Sequence, residues 1–444
     1  MTILAMVSNT EASLAEALCE AEAAFARRNP ASLALHGEAA RWMPGGNTRT
    51  ALHLQPFPLY VTSSTGCRIQ DADGHVFLDV LGEYTAGLYG HSDPVIGAAI
   101  TETAARGASN GAPGEGEIRL SRLMCDRFPS VEQIRFCNSG TEATLYAISL
   151  ARLATGRSRM IAFSGAYHGG VFAFPKEGGP INAPYDWSIA RYNDAPGAAA
   201  LIAAIGDELA AVVVEPMMSN GGCLPANPAF LRILREACDA VGAVLIFDEI
   251  VTSRMGAGGA QGRLGLTADL TTFGKYLGAG FSFGAFGGRA DLMDLMNPSN
   301  PASVGHAGTF NNNVYSMSVG ASALEQVFTP ARAERLFEDG ERLRARLNAI
   351  AREITPAAQF TGWGSIMNVH FRRAPISSPD DLADAPKGLT RLFHFDLLEA
   401  GVYAAARGQI NLSLPMGEAE LDQIAAAVGG ALERRSDLIE AVCP

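Results

Sequence analysis

Between residues 130 and 290 short apolar runs alternate with amphipathic ones, and this alternation restricts the fold more than any other feature of the chain. "QIRFC" (133–137) reads as a strand, and "MIAFSG" (160–165), "LAAVVVEP" (209–216) and "AVLIFDEI" (243–250) read as buried strands. Between them, "EATLYAISLARLA" (142–154) repeats apolar residues at helical spacing, and "PAFLRILREACDAVG" (228–242) is a helix ending at Gly242. Continuous Val, Ile, Leu and Phe strands separated by helices predict an α/β fold, a mostly parallel sheet covered on both faces.

The flanking segments read differently. Residues 11–42, rich in Ala, Leu and Glu, predict helices broken at Pro30. "CRIQDADGHVFLDV" (67–80) predicts a hairpin turning at Asp73-Gly74. After residue 330 come a long charged helix (332–353), a strand "SIMNVHF" (365–371) and further mixed elements, which together read as a smaller α+β domain. The expected organisation is an N-terminal segment (1–75) packed with the small domain (331–444), and a large domain (76–330) between them.

A chain of 444 residues holds a large core, and a formal charge of −12 argues against nucleic acid or an anionic membrane as a partner. Seven scattered cysteines without a C-x-x-C pair fit reduced thiols in a cytoplasm, and eight histidines without ligand spacing predict no metal site. "MTILAMVSNT" lacks the basic start of a signal peptide, and no apolar run approaches the roughly 18 residues of a membrane span.

One residue is out of character. Of 34 Lys plus Arg, only Lys176, Lys275 and Lys387 are lysine, and Lys275 lies in the apolar, glycine-rich stretch "FGKYLGAGFSFGAFGGR" (273–289). That stretch is no P-loop, since Asp269 stands where the first glycine belongs and Tyr276 follows the lysine. Nor is it a dinucleotide fingerprint, because Phe283 replaces the third glycine.

A better phosphate cradle is "RFCNSGTEATLYAISLAR" (135–152). Ser139 and Glu142 have capping-box spacing, so a helix starts there with exposed amides, Gly140 permits close approach, and the Ser139 and Thr141 hydroxyls add donors. An ordinary cap is the alternative. Asp248, followed by Glu249, ends a buried strand where α/β folds place ligands, although a capping acid would read the same way. A buried amine, a phosphate cradle and a lone carboxylate together are what pyridoxal 5'-phosphate chemistry requires. The amine forms a Schiff base, the helix start holds the phosphate, and the carboxylate keeps the pyridine nitrogen protonated. Tyr167, in "FSGAYHGG" (163–170), is an aromatic placed to cover the ring. Burial beside the cofactor is expected to depress the Lys275 pKa.

The ordered motifs carry a resemblance. "MPGGNTR" (43–49), "EYTAGLYGH" (83–91), "FCNSGTEA" (136–143), "AYHGG" (166–170), "VVEP" (213–216), "FDEIVTSR" (247–254), "DLTTFGKYLGAG" (269–280) and "GTFNNN" (308–313) resemble class III (subgroup II) aminotransferases, fold type I pyridoxal phosphate enzymes, from about residue 40 to about 435. The pattern is similar to glutamate-1-semialdehyde aminomutases and closer to aminotransferases of β-amino acids such as β-phenylalanine.

The resemblance implies roles. Lys275 matches the Schiff-base lysine, Asp248 the pyridine partner, Ile250 the aliphatic residue under the ring, and Tyr167 the stacking aromatic. Ser139, Gly140 and Thr141 match the phosphate loop. Thr309 matches a threonine that reaches the phosphate of the other subunit, which implies a homodimer. Glu215 matches the "EP" acid, as a cofactor contact or a structural group. Arg49 matches a carboxylate-binding arginine, Tyr84 falls in a segment that lines the substrate pocket, and Arg407 stands where the aminotransferases have an arginine and the aminomutases lack one. As alternatives, Arg49 is a surface charge and Arg407 a solvated charge between two strands. The implied reaction moves an amino group from a β-amino acid to a 2-oxo acid such as 2-oxoglutarate or pyruvate. Asn220 matches an aminomutase asparagine and keeps the intramolecular reaction as the alternative.

Overall fold

The computed structural model describes residues 3–175 and 179–443; Lys176 lies outside them. Among the described residues seven strands form the main sheet: β1 Gln133–Cys137, β2 Arg159–Phe163, β3 Asp186–Ala190, β4 Leu209–Val214, β5 Val244–Asp248, β6 Leu270–Gly274 and β7 Gly284–Gly288. Their spatial order is β1-β7-β6-β5-β4-β2-β3. Only β7 is antiparallel to its neighbours; every other pairing is parallel. All residues of β4, β5, β6 and β7 are buried, as expected of strands covered on both faces.

Three helices follow strands of this sheet. Helix α1 (Gly140–Thr155) follows β1 and packs on the central strands through Ala143, Ala147, Ile148 and Ala151. Helix α2 (Ala195–Ile205) follows β3 and packs on α3 (Pro228–Val241), which lies against β4 and β5. The α3 helix ends at Gly242 with φ 67°, where the sequence places its stop. The glycines after Lys275 also find their reason here. A Cβ on Gly287 would stand 2.6 Å from the Gln133 carbonyl oxygen, so the run is a strand crowded by β1 and not an anion loop.

The 67–80 hairpin forms around Gly74 (φ 88°), but it is not the edge of the large domain. It belongs to a four-stranded sheet ordered Val61–Thr65, Arg68–Asp71, Val76–Asp79 and Val402–Tyr403. The expected break at residue 75/76 therefore falls inside a sheet, because Val76–Asp79 pairs with the C-terminal segment. Pro30 opens the second helix, Pro30–Ala39, at its first position, where a missing N–H costs nothing. The C-terminal part is a three-stranded antiparallel sheet (Ala358–Trp363, Ile366–Phe371, Gln409–Asn411) packed by the helices Pro330–Ile354 and Glu418–Val442.

The long helix Pro330–Ile354 carries a glycine in its middle, Gly340, against helical preference. A side chain there would collide with the Gly364 carbonyl in the turn between the two following strands. Gly340→Ala gains about 1 kcal/mol of helix propensity but costs about 1–3 kcal/mol in overpacking against rigid backbone. The expected net result is a lower melting temperature by calorimetry; an unchanged or raised one contradicts this packing.

Candidate active site

The C-terminal ends of the parallel strands converge. Asp248 is the last residue of β5, Lys275 directly follows β6, Glu215 follows β4, Ser139 lies two residues beyond β1, and Tyr167 four beyond β2. This edge is where open parallel sheets present ligand sites.

Ser139 is the N-cap of α1, and its Oγ accepts from Glu142 N at 3.2 Å. The predicted box is only half present: the Glu142 carboxylate reaches the Asn138 N–H at 2.8 Å, one residue further back. The Thr141 hydroxyl accepts from Gly170 N at 3.1 Å, tying the helix start to the Tyr167 loop. Gly140 is required by Ile250, whose Cδ1 would lie 2.6 Å from any Cβ at that position. Ile250 therefore packs directly against the helix start.

Asp248 is buried, and its partner is one the sequence did not announce. Its Oδ2 lies 2.7 Å from His168 Nδ1, while Oδ1 accepts from Ile250 N at 3.1 Å. Burial pushes the His168 pKa down, but the hydrogen bond and charge of Asp248, with Glu215, outweigh it and the net shift is upward. His168 stands beside Tyr167 in the quoted "AYHGG" motif, which was the one available signal. The second acid of the strand end does something else: Glu249 caps the helix Gly259–Leu264, accepting from Ala260 N at 2.7 Å and Gln261 N at 3.0 Å.

Glu215 is buried, and its two oxygens accept from Tyr167 N and Ser219 N, each at 3.1 Å. Burial raises its pKa, with Asp248 adding to the push. It positions the loop that carries Tyr167, whose ring is 45% exposed at the opening. Thr309 sits in an exposed turn, and among the described residues no hydrogen bond joins it to the site of its own chain. Its neighbour Asn311 accepts from Asn138 at 2.9 Å, so the loop is fastened to the phosphate-side turn.

Lys275 takes a left-handed backbone (φ 54°) and is half-buried. Desolvation pushes its amine down to about 8, helped by the positive charges of Arg407 and Arg49, while Asp248 and Glu83 pull the other way. Both arginines therefore act on the charge of the amine.

The two arginines meet on one ring. The Arg49 and Arg407 guanidinium carbons lie 5.5 and 5.1 Å from the Tyr84 ring centre. Arg49 is paired with Glu83 at 2.6 Å. Arg407 lies in the turn between two strands, but it is pinned: Nε and Nη2 donate to Gln409 Oε1, and Nη1 donates to Asn220 Oδ1 at 2.5 Å. Asn220 therefore serves to hold Arg407. Gln409 and Asn411, which the sequence did not single out, continue the chain to the Leu81 carbonyl. Tyr84 also borders an apolar cavity of about 290 Å³ lined by Ala51, Leu52, Leu54, Leu81 and Tyr403.

Tyr84 stands on an unusual turn. Gly82, Glu83, Tyr84 and Thr85 all have positive φ, between 48° and 82°. A left-handed non-glycine residue costs roughly 1–2 kcal/mol, so the surroundings must impose the shape. Asp79 Oδ1 accepts from Leu81 N and Gly82 N, Asn411 donates to Leu81 O at 2.7 Å, and the buried Arg254 donates to Thr85 O at 3.1 Å.

Comparison with known proteins fits this geometry. Residues 50–416 match the family described as aminotransferase class-III. The chain belongs to the class-III aminotransferases. It is 47% identical over 420 residues to the β-phenylalanine transaminase of Variovorax paradoxus, covering 95% of this chain and 96% of that one. A solved structure of a β-phenylalanine aminotransferase from Variovorax paradoxus superposes with a TM-score of 0.94 at 46% identity, over 96% of this chain and 98% of that one. A glutamate-1-semialdehyde 2,1-aminomutase of Sorangium cellulosum is 38% identical over 401 residues, covering 86% of this chain and 90% of the other. As a class-III aminotransferase the chain is a pyridoxal-phosphate-dependent transaminase. Its residues fit that cofactor: a helix N-terminus with adjoining hydroxyls, a buried acid, an uncovered tyrosine ring and a depressed amine meet at one edge.

Two outcomes follow from this geometry. Only the neutral amine attacks an aldehyde, and its fraction rises as pH passes up through about 8. Stopped-flow reconstitution of the cofactor-free protein should therefore accelerate as pH rises through about 8 and level about one unit higher; a rate independent of pH contradicts the depressed amine. His168→Phe removes a buried charge-assisted bond of about 1.5–3 kcal/mol. Fluorescence titration should then show cofactor binding weakened about 10–100-fold, and unchanged binding contradicts His168 as the positioning residue for Asp248.

Proposed function

We propose that this class-III aminotransferase takes the amino group of a β-amino acid of the β-phenylalanine type and passes it to a 2-oxo acid such as 2-oxoglutarate or pyruvate. The observation that carries the reading is the pair of arginines on the Tyr84 ring, whose charges both act on the Lys275 amine. Two substrates visit one site in turn, and their carboxylates lie at different distances from the reacting carbon. One guanidinium for each meets that requirement. The 47% identity to a β-phenylalanine transaminase, against 38% to an aminomutase, supports the same choice. So does the cavity beside Tyr84, since about 150 Å³ of apolar space accommodates a benzene ring and about 290 Å³ is present.

In this reading each residue has a task. Bound at the strand ends, pyridoxal 5'-phosphate supplies an aldehyde for the amine and a ring that draws electrons from the substrate carbon. Ser139, Gly140 and Thr141 receive the phosphate at the start of α1. Asp248, steadied by His168, would pair with the pyridine nitrogen and keep its proton in place. Tyr167 and Ile250 hold the two faces of the ring, and Glu215 fixes the Tyr167 loop. Lys275 Nζ would hold the cofactor and would move the proton at the amine-bearing carbon of the substrate. Its depressed pKa leaves a usable fraction of free base near neutrality. Arg49 and Arg407 hold carboxylates, with Tyr84 between them.

The enzyme is proposed to work as a homodimer in the cytoplasm, with Thr309 reaching the phosphate of the other copy's site. Its exposure at a loop fastened to Asn138 supports that placement. All seven cysteines are free, and among the described residues no helix is long and apolar enough to cross a membrane. We place the large domain after Asp79, with the N-terminal segment and the C-terminal residues from 331 sharing the smaller unit.

A single-turnover spectrophotometric screen tests the substrate class. β-Phenylalanine should convert the bound cofactor to its amine form, and glutamate-1-semialdehyde should give no isomerised product; the reverse outcome overturns the reading. Arg407→Gln should raise KM for the 2-oxo acid about 10–100-fold, the loss of a charge-assisted pair, with cofactor affinity unchanged. Normal acceptor kinetics would return Arg407 to the surface.

A further inference from the structure

The two arginines are alike in chemistry and position but differ in electrostatic state. Arg49 already has a carboxylate, Glu83 at 2.6 Å. Arg407 has none among the described residues; its contacts are the neutral side-chain oxygens of Gln409 and Asn220. One guanidinium is neutralised at rest and the other keeps its full charge.

Glu83 is held there by construction. It is one of three consecutive non-glycine residues in the left-handed region, a conformation that a chain does not adopt unless the surroundings enforce it. Asp79, Asn411 and Arg254 enforce it from three elements, and the Tyr84 hydroxyl closes the turn by donating to the Ala51 carbonyl, two residues beyond Arg49. The strained turn and the Arg49 loop are thus fastened together with the ion pair between them. Both partners of the pair are well exposed, so an incoming anion can exchange with Glu83 at small cost.

We propose that Glu83 is a specificity-determining residue: an internal carboxylate that occupies Arg49 between half-reactions, is displaced by the carboxylate of the amino donor, and leaves Arg407 as the open site for the oxo acid. The inference rests on the β-amino-acid reading above and deepens it. Glu83 raises the donor KM slightly and in return clears Arg49 of product, so that oxo acids do not occupy it unproductively. Gln409 and Asn220 complement it by orienting Arg407 without neutralising it.

The test uses the holoenzyme and 3-phenylpropanoate, which carries the donor's carboxylate but no amine. By titration calorimetry Glu83→Gln should tighten binding about two- to fivefold, the range of an exposed ion pair. Glu83→Asp should stay within twofold of the wild type. The β-phenylalanine KM should fall by the same factor with kcat held, and the 2-oxo acid should become a stronger competitive inhibitor against the donor. In an Arg49→Gln background the second change, Glu83→Gln, should have no effect. Unchanged or weaker binding in Glu83→Gln overturns the proposal. So does an equal gain for 3-phenylpropanol, which lacks the charge and would report a change in pocket shape. If the wild type binds 3-phenylpropanoate and converts β-phenylalanine but Glu83→Gln matches it, Glu83 alone is misassigned. If the wild type does neither, the substrate reading fails with it.

Discussion

The site depends on an amine kept in a place that disfavours its charge. Lys275 follows a fully buried strand, shares its surroundings with two arginines, and is pushed by desolvation down to about 8. Water would stabilise the ammonium, whereas the end of an apolar sheet does not. Asp248 opposes that shift, and its charge is fixed by hydrogen bonds from His168 and from the Ile250 amide. The proposed chemistry rests on a buried acid and a depressed amine held apart at the ends of neighbouring strands.

The sheet makes that separation possible. Asp248 and Thr272 are register partners on the parallel strands β5 and β6, and Lys275 lies three residues further on. The connecting turns leave from the same edge, so the helix start, the acid, the amine and the tyrosine arrive without long loops. Regions outside the sheet supply the residues proposed to meet the substrates: Arg49 and Tyr84 come from the N-terminal segment, Arg407 from the C-terminal one. Arg254 ties them together, its buried guanidinium donating to Thr85 O, Ser365 Oγ and Leu412 O. Burial lowers its pKa to about 10, and it carries charge at neutral pH without a carboxylate among the described residues.

What was legible in the sequence was what repeats or stands alone. The buried strands carry a period-free apolar signal, and Lys275 is conspicuous because the chain otherwise uses arginine. Asp248 and the Ser139 cap were readable because strand ends and helix starts have local rules. The roles of His168 and Asn411 were not, since each acts through a partner 80 or 330 residues away in the chain. The turn at Gly82–Thr85 was hidden for a related reason: its left-handed backbone contradicts local preference and is imposed by Asp79, Asn411 and Arg254. The expected break at residue 75 treats a hairpin as a local unit, whereas its second strand also pairs with Val402–Tyr403.

Because the chain has only three lysines, the central claim can be read on a single peptide map. The purified holoenzyme is reduced with borohydride, digested and analysed by mass spectrometry. A phosphopyridoxyl group on Lys275, with Lys176 and Lys387 unmodified, is the predicted result. An unmodified Lys275, or the group attached to either of the other two, would contradict the assignment of the amine and with it the chemistry built on it.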